Sequence, residues 1–231
     1  MKSARPYTKN KIARAGLHIV IIGDSWGVPR PDPHYAHRQQ QHTQGLLLAQ
    51  GHRVTAFAQD GSTNHTQLVQ ALKSGIAPDW IIWFHTELTR DFGLARELDT
   101  YTLEGVLEHL ARATYPLWSD LAARATQGTI VIGGQAPVHP VIHSMGGADL
   151  IIQDWRSNIL GVDLPVHSLC QPEIIDSDRC INPMKQKAQI IDDHSRLLNL
   201  MQKSPLFPDN CHPGPESYQM LHQHTIGKLI C

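Results

Sequence analysis

Along the chain, short continuous apolar runs alternate with longer stretches whose apolar residues recur at helical spacing. Strands are predicted at 17–22, 53–58, 80–85 and 129–133, with a weaker candidate at 165–169. The first, third and fourth are nearly unbroken in apolar residues, the pattern of strands buried on both faces. Between them, 43–50 and 65–74 read as helices, closed by Gly51 and Gly75, the residue type that tolerates a left-handed helix end. Val106, Leu107, Leu110 and Ala113 trace the apolar face of a longer helix, capped by Asp99 or Thr100 and expected to break or kink at Pro116. Helices at 190–201 and 215–229 complete the pattern. Such alternation builds βαβ units, hence an α/β fold with a mainly parallel sheet of about five strands, right-handed crossovers and helices on both faces. Ser25, Gly61, His85 and the loop 134–143 all follow predicted strands, so they are expected to meet on one rim of the sheet.

Length and charge narrow the class. The 231 residues, 41% hydrophobic and 18% charged, fit one sizeable domain. Twenty Lys and Arg balance twenty-one Asp and Glu, so the overall charge demands neither nucleic acid nor an anionic membrane as partner. Residues 1–16 carry Lys2, Arg5, Lys9, Lys11 and Arg14 without an acid and are expected to be a basic, flexible arm ahead of a single domain at 17–231. They lack the apolar centre of a secretory signal, and no apolar run reaches the roughly 20 residues that span a bilayer, so a cytoplasmic location is expected. Cys170, Cys180, Cys211 and Cys231 show no C-x-x-C spacing and are expected to be reduced thiols, with Cys211 a bystander.

The chemistry lies at the two ends. Gly23-Asp24-Ser25 directly follows the first apolar run, and Asp209-x-x-His212 stands before the last helix, so a nucleophile, an orienting carboxylate and a base are all available. Gly23-Asp24-Ser25-Trp26-Gly27 also satisfies the G-x-S-x-G elbow of α/β-hydrolases, but only 22 residues precede Gly23, too few for the strands that come before that elbow.

A G-D-S block near the amino terminus with D-x-x-H near the carboxyl terminus resembles the SGNH, or GDSL-type, hydrolase superfamily, over almost the whole chain. The resemblance implies a three-layer, flavodoxin-like α/β/α domain and a serine esterase acting through an acyl-enzyme. It also implies roles: Ser25 as nucleophile, His212 as general base and acid, Asp209 as the group that fixes the imidazole, and the Gly61 and Ser25 N–H groups as an oxyanion hole. Where the family carries Gly-x-Asn-Asp, this chain has Phe84-His85-Thr86-Glu87, so the asparagine donor is missing. Thr86, His85 or Asn64 can stand in for it, although Asn64 more readily caps the helix that begins near His65.

His85 and Arg90, with Thr86 and Asp91, form a polar rim that leans toward a small acyl group on a polar carrier, such as an O-acetylated carbohydrate. The competing expectation is a weak or inert binding or structural module on the same fold, similar to divergent members among viral and phage proteins. Of the fifteen histidines, His222-x-His224 and His139-x-x-x-His143 lack a Cys or carboxylate at metal-site spacing, and Gly133-Gly134 lacks the rest of a dinucleotide fingerprint. No metal and no cofactor is therefore expected.

Overall fold

The computed structural model describes residues 16–27, 41–59, 61–134, 136–162, 179–181, 184–208 and 212–230, without the side chains of 184–188, 190 and 194. Five parallel strands form one sheet: β1 (His18–Gly23), β2 (Arg53–Ala58), β3 (Trp80–His85), β4 (Gly128–Gly133) and β5 (Leu150–Ile152). Their spatial order is β2-β1-β3-β4-β5, which places the reversal of winding between β1 and β3. Crevices at the carboxyl ends of strands beside such a reversal are where open α/β sheets hold ligands.

The unbroken apolar runs are explained by burial on two sides. Val20, Ile22, Ile81, Trp83 and Val131 face one core, where α2 (Asn64–Lys73) and α3 (Leu103–Ala122) deliver Leu68, Val106, Leu110 and Trp118. The alternate residues Ile19, Ile21, Ile82, Phe84, Ile130 and Ile132 face a second core with Leu47 of α1 (Thr43–Ala49) and Trp155 of α5 (Trp155–Leu160). Leu197 of α6 (Met184–Lys203) and Tyr218 and Leu221 of α7 (Pro215–Leu221) complete that layer. The short α4 (Ile142–Met145) lies between β4 and β5. No helix among the described residues is long and apolar enough to cross a membrane.

Four local expectations change. The fifth strand is Leu150–Ile152, a three-residue run too short to stand out by period, while 165–169 lies outside the described residues. Helix α3 is capped by Thr102, whose hydroxyl accepts the Gly105 N–H at 3.1 Å, not by Asp99 or Thr100. The same helix does not break at Pro116 but continues to Ala122. An interior proline costs about 3 kcal/mol, but Tyr115, Trp118 and Leu121 bury completely or nearly so around it, and each such side chain returns about 2–3 kcal/mol. Packing therefore outweighs the break. Finally, the single helix expected at 215–229 is α7, a π-helical turn at His222–Ile226, and α8 (Gly227–Ile230).

Candidate active site

The site begins where β1 ends. A side chain at Gly23 would place its Cβ 2.8 Å from Phe84 Cβ, so glycine lets the ends of β1 and β3 close together. The chain then turns through Asp24, Ser25 and Trp26, and the Gly27 N–H returns to the Asp24 carbonyl at 2.9 Å. Asp24 is fully buried and acts as the internal peg of this turn. Its Oδ1 accepts the Trp26 N–H at 2.9 Å, and its Oδ2 accepts the Thr86 hydroxyl at 2.8 Å and an Arg90 N–H at 3.4 Å. Burial pushes the Asp24 carboxyl above the usual carboxylate range, against the opposing pull of the Trp26 N–H, Arg90 and Thr86.

With Asp24 held inside, Ser25, itself 8% exposed, meets a partner from the far end of the chain. Its Oγ lies 2.8 Å from Nε2 of His212, 187 positions away in sequence. That is hydrogen-bond distance for a nucleophile and its base. The imidazole is delivered by a well-tied segment. Gly214 donates its N–H to the Leu206 carbonyl at 2.7 Å, and the Ser217 hydroxyl donates to the same oxygen at 3.2 Å. Tyr218 of α7 then donates its hydroxyl to the Trp26 carbonyl at 3.1 Å, fastening the helix after His212 to the turn that carries Ser25. Trp26 itself packs edge-on against Trp155, 5.7 Å between ring centroids, and is tilted on Phe207 at 6.1 Å. Asp209, the expected orienting group, lies outside the described residues.

The turn after β3 is organised inward. Thr86 is fully buried, and both its donors are committed: the hydroxyl to Asp24, and the backbone N–H to Asn64 Oδ1 at 3.0 Å. Asn64 returns the bond, its amide donating to the Thr86 carbonyl at 2.8 Å. Asn64 is therefore a clamp between α2 and the end of β3, and the cap of α2 is Thr63, whose hydroxyl accepts the Thr66 N–H at 3.1 Å. Gly61 adopts a left-handed φ of 70° with open space where a side chain would stand, so backbone conformation, not crowding, favours glycine there. Among the described residues no hydrogen bond occupies the N–H of Ser25 or of Gly61.

His85 departs from its expected place on a polar rim. It is 1% exposed and points into the core beside Trp83 and Tyr115, because the alternation along β3 assigns it to the face of Ile81 and Trp83. The Tyr115 oxygen accepts the His139 N–H at 2.9 Å and shares a hydrogen bond with His85 Nε2 at 3.2 Å, its direction set by the imidazole tautomer. Burial drives the His85 ring down to about 3, so it stays neutral. Arg90 likewise turns inward: its Nε donates to Glu87 Oε2 at 2.5 Å, and its Nη1 reaches Asp24 and the Ser62 carbonyl at 3.4 Å. Asp91, buried too, accepts the His65 N–H at 3.2 Å.

One neighbour of the pair carries no motif. His42 packs against Tyr218 with 4.0 Å between ring centroids, and among the described residues neither ring nitrogen has a hydrogen-bond partner. Burial, aided by the nearby His212, lowers it to about 3 and keeps it uncharged. No local pattern could have signalled it, because its place follows from the contact of α1 with α7. Among the described residues no group of three or more His, Cys, Asp or Glu side chains could hold a metal ion.

No protein-family model matches the sequence, and no curated protein sequence matches it. Solved structures with a similar chain trace include LAE5, an alpha/beta hydrolase enzyme from the metagenome of Lake Arreo, at 17% identity and a TM-score of 0.44 over 79% of this chain and 95% of that one. TesA superposes at 14% identity and 0.40 over 79% of this chain and 99% of its own. Axe2, an acetylxylan esterase from Geobacillus stearothermophilus, does so at 16% and 0.39 over 80% and 95%. The assignment of the site rests on its own geometry.

Proposed function

We propose that the protein is an SGNH-type serine esterase that cleaves a small acyl ester on a polar carrier. The observation that carries this reading is the 2.8 Å contact between Ser25 Oγ and His212 Nε2, made across the length of the chain at the winding reversal of the sheet. In the proposed reaction His212 Nε2 takes the Ser25 proton as Oγ bonds to the ester carbonyl carbon. The carbonyl oxygen becomes an oxyanion facing the N–H groups of Ser25 and Gly61 and the remaining amide hydrogen of Asn64. Collapse expels the alkoxide, which receives the proton from His212, and leaves an acyl group on Ser25. Water then attacks with the same imidazole as base, releasing the carboxylic acid and restoring the hydroxyl. Asp209, three residues before His212, is assigned the partner role at the other ring nitrogen.

The inward commitment of both Thr86 donors favours one competing reading, an inert module with the same frame, since a lost oxyanion donor costs ~10²–10³ in turnover. Hydrolysis of p-nitrophenyl acetate separates the two. The esterase turns over this ester and loses ~10³-fold or more in Ser25→Ala. Turnover that is absent in the folded wild-type protein, or unchanged in that variant, removes the proposal.

A further inference from the structure

A second cation sits beside the nucleophile turn without an ion-pair partner among the described residues. Arg156, in α5, is 2% exposed, and its guanidinium carbon lies 6.0 Å from the centroid of the Trp26 ring, next in sequence to Ser25. Among the described residues its buried Nε and Nη2 have no hydrogen-bond partner, and no carboxylate forms an ion pair with it. The acids within electrostatic reach, Asp154 and Glu87, are committed elsewhere. Asp154 caps α5, taking the Ser157 N–H at 3.0 Å on one oxygen and the Ser157 hydroxyl on the other. Glu87 takes Arg90 Nε on its Oε2. Burial lowers the Arg156 guanidinium only to about 10, so it is charged at neutral pH.

Holding a full charge out of water with its donors unmet costs several kcal/mol. A group buried at that cost calls for a partner, and a ligand at the neighbouring site is one that would complete it. The pattern of open donors identifies the ligand: Nε–H and Nη2–H are the parallel edge of the guanidinium, the fork that receives both oxygens of a planar carboxylate. We infer that Arg156 is a specificity-determining residue of the Ser25 site, binding a carboxylate carried by the ester substrate. This deepens the esterase reading and rests on it for the identity of the reacting bond, since the carboxylate is a handle and takes no part in acyl transfer. A purely structural role, with the cation propping the Trp26 ring, makes the opposite demand: every substrate should then depend on Arg156 equally.

Two matched ester pairs test the difference, with rates scaled to each ester's hydroxide-catalysed hydrolysis. p-Nitrophenyl hemisuccinate against p-nitrophenyl butyrate places the carboxylate on the acyl side, and 4-acetoxybenzoate against phenyl acetate places it on the leaving side. A bond to a charged group is worth enough for a ~10–100-fold effect. The expected result is a wild-type kcat/KM at least ~10-fold higher for the charged member of one pair, lost in Arg156→Met and in Arg156→Lys, with the neutral member changed less than ~3-fold. Equal loss on both members, or no wild-type preference in either pair, overturns the inference. Titration of succinate and benzoate into wild-type protein and Arg156→Met gives a readout independent of turnover. Carboxylate binding that needs Arg156 without hydrolysis of any ester strikes the esterase reading and leaves the carboxylate site standing, whereas no binding and no charged-ester preference removes the site.

Discussion

The turns after β1 and β3 sit side by side at the carboxyl edge of the sheet, yet they face opposite ways. After β1, Asp24 goes inward and Ser25 is left to meet His212. After β3, three polar side chains are drawn into the frame: Thr86 to Asp24 and Asn64, Arg90 to Glu87 and Asp24, and His85 to Tyr115. The first turn is built to present a side chain, the second to hold the first turn in place.

Substitutions at the two turns should therefore fail in different ways. The largest effect is expected at the presenting turn. In Ser25→Ala and His212→Ala, ester turnover should fall by ~10³-fold or more, while thermal unfolding shifts little, because neither side chain belongs to the core clusters. Thr86→Val should do the reverse. It removes the shortest donor to a buried carboxylate, so chemical denaturation should show a loss of ~1–3 kcal/mol, with turnover reduced only as far as the Ser25 turn loosens. If Thr86→Val instead abolishes turnover at full stability, Thr86 is part of the presenting machinery and the contrast is broken.

The acid response sharpens the contrast further. Unfolded His85 takes its proton near 6.5, and the folded ring resists until about 3. Its stabilising contribution is complete above pH 6.5 and is lost as pH falls toward 3, with a slope of ~1.4 kcal/mol per pH unit. His42 follows the same course. Equilibrium unfolding of His85→Phe between pH 6 and 4 should show a slope shallower by about that amount, and an unchanged slope would contradict the burial of a neutral His85 ring. The smallest effect belongs to the cap beneath the second turn: Thr63→Ala should destabilise by ~1 kcal/mol in denaturant titration, with kcat nearly unchanged.

The sheet is largely legible because β1, β3 and β4 are buried on both faces and so leave nearly unbroken apolar runs, read at 17–22, 80–85 and 129–133. β5 is not, since three residues carry no period. At the site, Ser25 and His212 stood out through short local motifs, and the structure brings them together. Asn64 reads as an oxyanion donor or, more readily, a helix cap, because the local signal of an asparagine before a helix is identical whether its amide bonds its own helix or the backbone at Thr86, 22 residues on. His85 looked like a rim residue because it ends a strand, while the pleat assigns it to the interior. His42, Tyr218 and Arg156 carry no motif, since their roles arise from packing between elements distant in sequence.

The account turns on Ser25 being a nucleophile activated by His212. Intact-mass and peptide mass spectrometry after exposure to a fluorophosphonate measures this directly. One adduct on the Ser25 peptide is expected, absent in Ser25→Ala and strongly slowed in His212→Ala. An unmodified Ser25, or an adduct that forms as fast without the imidazole, would contradict the account.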